Sequence, residues 1–177
     1  MKTLKNNVNT QSFWNNRYKN YQDKWRTFPY EYLYEKYLKN HHYKTIVDYG
    51  CGFGEGINYL SVLMNTKFHG VDFSEVAIEK AKELYPQHEF SVIDLNEDFT
   101  PIPTDVSIIV QTLEHLSNPL KVVKKLLSVG DVIVSIPNEP EPSGEHYVAF
   151  KESDFSKFNP TIIDKGSNII MVMQHEK

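Results

Sequence analysis

The chain predicts an α/β fold, an open and mostly parallel β-sheet with helices on both faces. Three observations carry that expectation. From residue 44 onward, short β-branched runs alternate with helical stretches, the pattern of successive βαβ units. Several of those runs are almost wholly apolar, as strands covered on both faces must be. A strand-like run, Thr45-Ile-Val-Asp-Tyr49, leads into glycines at 50, 52, 54 and 56 before a helical pattern begins.

Each element follows from its residues. In the first 28 residues Phe13, Trp14, Tyr18, Tyr21 and Trp25 recur about every three to four positions. That spacing predicts an amphipathic helix, or a lid whose ring face needs cover. Residues 29–40 predict a second helix, with Pro29 in the first turn and Tyr30, Leu33, Tyr34, Tyr37 and Leu38 along one stripe. Strands are expected at Thr45–Tyr49, Lys67–Val71, Glu89–Ile93, Val106–Val110 and Asp131–Ile136, with helices at 55–64, 74–85 and 119–127. Asp94 to Thr104 carries acids and two prolines and reads as a loop, as does the exposed stretch 139–144. Residues 152–158 predict a short helix. Thr161–Ile163 and Asn168–Met173, around Lys165-Gly166-Ser167, predict a hairpin, hence an antiparallel addition to the parallel sheet. The chain is thus expected to divide into a helical, aromatic lid segment over residues 1–43 and a ligand-binding domain over residues 44–177.

Composition narrows the class. A chain of 177 residues has the size of one domain, and 40% hydrophobic with 24% charged residues excludes a wholly disordered or collagen-like protein. Cys51 is the only cysteine, so an intramolecular disulfide is impossible. With 19 basic against 23 acidic residues the net charge is −4, which offers no bulk attraction for nucleic acid. No run approaches the ~20 apolar residues of a membrane helix. The first ten residues lack the apolar core of a signal peptide, so a cytoplasmic location is expected.

The glycine segment is the sharpest chemical signal. Ligands of open parallel sheets bind beyond the carboxyl ends of strands, and glycines there permit a tight turn and close backbone approach. The dinucleotide fingerprint G-x-G-x-x-G fails, because its third glycine falls on Glu55 or Ile57. The phosphate-binding loop fails too, since no lysine follows. Glu55 would further oppose a pyrophosphate at the helix start, so the ligand is expected to carry no phosphate there. Asp72 ends the next strand, 22 residues after Gly50, where a carboxylate accepts hydrogen bonds from both hydroxyls of a ribose. Asp94 ends the third strand between Ile93 and Leu95, a setting that suits an adenine amine with its ring wedged between apolar side chains.

Val47-Asp-Tyr-Gly-Cys-Gly-Phe-Gly54 resembles motif I of the class I S-adenosylmethionine-dependent methyltransferases. Asp72 and Asp94 match that family's ribose- and adenine-binding positions. Val110-Gln-Thr-Leu-Glu-His-Leu-Ser-Asn-Pro119 and Ser135-Ile-Pro-Asn138 resemble a subgroup that includes ubiquinone-biosynthesis methyltransferases. The resemblance runs in register over about residues 44 to 138. It implies a Rossmann-like seven-stranded sheet of order 3-2-1-4-5-7-6 with the last strand antiparallel, and S-adenosylmethionine as cofactor. It also implies cofactor contacts from Asp48, Gly50, Cys51, Gly52, Gly54, Asp72 with neighbouring Phe73, Asp94 with Leu95, and Gln111.

Methyl transfer from a sulfonium is an in-line displacement. The protein must hold acceptor and methyl together and exclude water, with a base only where the acceptor carries a proton. No protein nucleophile is needed, so Cys51 is expected to be a small buried residue. His115 is the leading base candidate, with His146 on the same acceptor side, whereas His41-His42 lies at the opposite end of the sheet and is expected to be solvated. The expected activity is methylation of a small molecule, most simply O-methylation of a sugar or other metabolite, with no metal and no nucleic-acid partner. Two alternatives stand beside it. The small-RNA ribose 2′-O-methyltransferases carry E-x-x-E-H and a downstream histidine as metal ligands, which Glu114, His115 and His146 resemble, although Gln111 replaces the first acid. The other alternative is a non-catalytic cofactor-binding module.

Overall fold

The computed structural model describes residues 1–20 and 27–175, so Tyr21 and Trp25 of the aromatic series lie outside the described residues. The elements run β1 (Lys2–Thr3), α1 (Gln11–Asn20), α2 (Phe28–Lys36), β2 (Thr45–Tyr49), α3 (Glu55–Leu63), β3 (Lys67–Asp72), α4 (Glu75–Leu84), β4 (Glu89–Val92), β5 (Val106–Val110), α5 (Pro119–Leu126), β6 (Asp131–Pro137), β7 (Val148–Ala149), β8 (Thr161–Lys165) and β9 (Asn168–Met173). Three 3-10 turns sit at Leu38–Asn40, Leu113–His115 and Glu152–Phe158. Seven strands form one sheet in the order β4-β3-β2-β5-β6-β9-β8. Strands β2 to β6 are parallel, and β9 runs antiparallel to both β6 and β8. Counted from β2 and without the two-residue β7, this is the expected order 3-2-1-4-5-7-6.

The period of two along the strands sorts side chains between two apolar layers. Ile46, Ile108 and Ile133 face one layer with Leu33 of α2, Ile57 and Leu60 of α3, and Ile78 of α4. Val47, Ile109, Val132 and Val134 face the other, with Val122, Val123 and Leu126 of α5 and Phe155. Helix α5 starts with Pro119, where the missing N–H costs nothing, and Ser74 caps α4 by accepting from the Ala77 amide at 3.2 Å. Among the described residues no helix is long and apolar enough to cross a membrane.

Two expectations need correction. The helix expected over 29–40 stops at Lys36, where Tyr37 leaves helical dihedrals, and a separate 3-10 turn then buries Leu38. His42 is exposed as expected, but His41 is half-buried: it stacks on Tyr37 at 3.8 Å and its Nδ1 bonds the Tyr37 carbonyl at 2.8 Å. One pairing had no signal in the residue pattern. Lys2 and Thr3 lie antiparallel to Ala149 and Val148, so the N-terminus crosses to the loop after β6.

Helix α3 meets α2 where Gly56 lies beneath the Tyr30 ring, and a Cβ at Gly56 would overlap that ring. Overpacking at Gly56→Ala should cost up to about 3 kcal/mol against the ~1 kcal/mol that alanine gains over glycine in a helix, a net destabilisation of up to about 2 kcal/mol. Urea unfolding should show a lower midpoint at unchanged slope.

Candidate active site

The parallel sheet brings four loops to one edge, those after β2, β3, β4 and β5, and they line a cavity of about 410 Å³. The turn after β2 uses left-handed backbone at Gly50 (φ 94°) and Gly52 (φ 55°), a region that side chains disfavour. Its Gly50 and Cys51 amides donate to the Val71 carbonyl at 2.6 and 2.9 Å, pinning the turn to β3. The Gly52 amide donates to Asp72 Oδ2 at 3.0 Å, and the Ser74 amide donates to Asp72 Oδ1 at 2.9 Å. Asp72 is only 6% exposed, and burial pushes its carboxyl up to about 6 against those hydrogen bonds. Beyond β4, Asp94 lines the cavity between Ile93 and Leu95, its Oδ1 accepting from the Asn96 amide at 2.8 Å.

The other expected cofactor positions divide. Gly50, Cys51, Gly52, Phe73 and Gln111 also line the cavity. Cys51 is buried, and desolvation holds its thiol well above the usual range, so it stays neutral. Gln111 adopts φ 51° and turns its amide toward the strand ends, donating to the Ser135 carbonyl at 3.2 Å. Asp48 and Gly54 are not among the lining residues. Asp48 is fully buried beneath the turn, where it accepts from the Tyr30 hydroxyl at 2.8 Å and sits near a pKa of about 7 through burial. Gly54 precedes α3 in left-handed backbone (φ 83°), and a Cβ there would press on Phe90 at 2.9 Å.

The opposite end of the cavity gathers Glu114, His115 and His146. One ligating atom of each lies within 4.8 Å of the others. Glu114 is completely buried, and neither of its oxygens meets a hydrogen-bond partner among the described residues. Burial pushes this carboxyl up to about 8. His115 Nδ1 donates to the Glu145 carbonyl at 2.9 Å, and burial pulls its pKa down to about 4, with His146 adding to the fall. His115 is thus a neutral imidazole with its lone pair on Nε2. His146 Nδ1 meets Glu139 at 2.8 Å. The arrangement offers hydrogen-bond acceptors and ligating atoms to whatever sits between them.

Residues that the motifs did not mark complete the walls. Helix α1 turns Trp14, Arg17 and Tyr18 to the cavity from one face. Trp14 meets the His115 ring edge-on at 5.0 Å, and Tyr18 donates to Asp72 at 3.4 Å. Arg17 pairs with Glu145. The aromatic spacing signalled a face in need of cover, but Asn9 and Glu145 carried no pattern that could have singled them out.

A family model described as a methyltransferase domain matches residues 40–139, more than half of the chain. The chain belongs to that family. Among curated proteins, the 235L protein of Invertebrate iridescent virus 6, a methyltransferase by name, is 33% identical over 47% of this chain and 36% of its own length. The chain therefore spans little more than a third of that relative. The fold is similar to the N-methyltransferase NodS from Bradyrhizobium japonicum WM9 in complex with S-adenosyl-L-homocysteine, with TM-score 0.73 and 12% identity over 94% of this chain and 99% of that one. It is also similar to magnesium protoporphyrin IX methyltransferase from Synechocystis PCC 6803, TM-score 0.68 and 15% identity over 95% and 96% of the two chains. These structural likenesses are of fold, and they fit the seven-stranded order of the family.

Asp48, Asp72 and Glu114 titrate in the folded state at about 7, 6 and 8, against about 4 to 4.5 when unfolded. Between those values the folded protein binds more protons than the unfolded chain, so stability falls as pH rises from about 4 to about 8. The urea midpoint of the ligand-free protein should accordingly be higher at pH 5 than at pH 8.5. Glu114→Gln should flatten that slope.

Proposed function

We propose that this methyltransferase domain binds S-adenosylmethionine along the glycine turn, Asp72 and Asp94, and methylates a hydroxyl of a small molecule, a sugar or other metabolite. One observation carries the reading: a single cavity joins the Gly52–Asp72 corner at one end to the Glu114–His115–His146 cluster at the other. The fit to the cofactor rests on the donor set. Asp72 accepts from one amide on each oxygen and from the Tyr18 hydroxyl at 3.4 Å, so of about four lone-pair sites one is left for a ribose hydroxyl, and a second hydroxyl would take the place of the long Tyr18 bond. Asp94 between Ile93 and Leu95 suits an adenine, and the left-handed turn at Gly52 admits a ligand close to the backbone. When bound, the cofactor supplies an activated methyl group.

The chain's residues supply orientation, dryness and a proton acceptor. Trp14 and Tyr18 cover the cavity, so residues 1–43 act in part as a lid that excludes water. His115 presents an unprotonated Nε2 at neutral pH. An acceptor oxygen that gained a methyl would become strongly acidic, so even an imidazole of depressed pKa would take its proton. His146, beside His115, is a second acceptor for the substrate's hydrogen bonds. Cys51, a buried neutral thiol on the cavity wall, takes no part in the proton transfer.

A second reading has a specific observation behind it. Glu114 with two histidines is a donor set suited to a divalent cation, and its oxygens lack partners among the described residues. A cation there would lower the pKa of the acceptor hydroxyl and replace the base. That chemistry also serves an RNA ribose, although a net charge of −4 disfavours RNA.

Two measurements test the proposal. Asp72→Ala should weaken binding of S-adenosylhomocysteine at least tenfold in calorimetry, since charge-assisted hydrogen bonds contribute about 1.5–3 kcal/mol. Unchanged affinity in a folded variant would refute the cofactor assignment. His115→Ala should lower turnover by roughly 10²-fold or more with little change in cofactor affinity, and chelator should leave wild-type activity intact. Activity lost to chelator and restored by magnesium or manganese would replace the base with the cation.

A further inference from the structure

The geometry points to Asn9 as a positioning residue for His115: it holds the Glu145 carbonyl that keeps the imidazole proton on Nδ1 and the lone pair on Nε2. The inference rests on the proposed role of His115, and Asn9 belongs to none of the motifs described above.

Asn9 is 8% exposed, in the extended segment between β1 and α1. Both ends of its amide are used. Oδ1 accepts from the Trp14 indole N–H at 3.0 Å, while Nδ2 donates to the Glu145 carbonyl at 2.8 Å and to Asn7 Oδ1 at 2.7 Å. The same Glu145 carbonyl accepts from His115 Nδ1 at 2.9 Å. A carbonyl can only accept, so the imidazole must carry its hydrogen on Nδ1. Asn9 therefore grips both objects that bracket the ring. One is the carbonyl that sets its tautomer, and the other is the indole that packs against it at 5.0 Å. Asn7 adds a bond from its Nδ2 to the His115 carbonyl at 3.1 Å.

The need for such a grip is physical. Glu145 sits in a loop between β6 and β7 whose tip, Ser143–Gly144, is exposed. Left alone, its carbonyl would be free to turn to water, and His115 could place its hydrogen on either nitrogen. An asparagine is suited to the position because it offers two donor hydrogens and an acceptor on one planar group. Aspartate has the shape without the donors, and leucine has neither. The requirement is the same if Nε2 ligates a cation, since that also needs a neutral ring with hydrogen on Nδ1.

The test is ring-nitrogen NMR of histidine-labelled protein at neutral pH, with the His115 resonances assigned by their loss in His115→Gln. Wild type should show a protonated Nδ1 and an unprotonated Nε2. Asn9→Asp should lower the ratio of the two tautomers about tenfold, the scale of one lost hydrogen bond. Asn9→Leu, which removes the polar group without adding charge, should do the same. A wild-type His115 with its hydrogen on Nε2 would overturn the inference without any variant. So would an unchanged Nδ1–H tautomer in either folded variant. The readout does not depend on turnover. A tautomer that follows Asn9, together with undiminished turnover in His115→Ala, would remove the proposed base and leave the positioning role standing.

Discussion

Parallel pairing of β2 with β3 and β5 is the constraint on which the site depends. Parallel strands end at the same edge, so the loops that follow β2, β3, β4 and β5 must meet there, whatever lies between them in sequence. Register completes the effect. Asp48 lies opposite Gly70 and Tyr49 opposite Val71, which brings the glycine turn level with the end of β3. The Gly52 amide can then reach the Asp72 carboxylate, twenty residues away. A one-residue slip would turn every side chain to the other face and part these two groups.

The same edge collects carboxyl groups in a dry place. Asp48, Asp72 and Glu114 are all buried, and each is held above the ordinary carboxylate range by loss of water. A fold selected for stability alone has no use for them, because a buried acid without full partners costs free energy. Their compensation is unequal. Asp72 is served by two amides and a tyrosine, Asp48 by the Tyr30 hydroxyl on one oxygen, and Glu114 by no partner for either oxygen among the described residues. That gradient runs from the glycine turn to the histidine end, where a ligand has most to offer.

The N-terminal segment closes the molecule through contacts distant in sequence. β1 pairs with β7, Asn9 binds the Glu145 carbonyl, Arg17 pairs with Glu145, and Gln11 donates to the Phe73 carbonyl at 2.7 Å. One face of α1 touches Asp72 through Tyr18 and His115 through Trp14, so the two ends of the cavity share a wall. Helix α2 has a different task. Leu33 is wholly buried against the same layer as Ile46, and Tyr30 bonds Asp48, which makes α2 part of the core.

Elements with a strong local period were legible in the residues themselves. The apolar runs at 45–49, 106–110 and 131–136 read as buried strands, and the glycines from 50 onward marked a tight turn open to close backbone approach, because these are properties of a few consecutive residues. The place of Asp72 at the end of β3 was legible for the same reason, whereas Asp94, expected to end a strand, lies two residues beyond the end of β4 at Val92. The partners of Asp48 and Gly54 were not legible, since the Tyr30 hydroxyl and the Phe90 ring arrive from elsewhere in the chain. Asn9 and Glu145 were invisible, because a lone asparagine and a loop glutamate acquire meaning only when folding brings them within hydrogen-bond reach across 136 positions. By itself the sequence determined the sheet, its turn and the acids at its edge through local periodicity and backbone freedom. Only the tertiary structure decided which groups lose water and which carbonyl meets His115, because desolvation and long-range hydrogen bonds exist only in the packed chain.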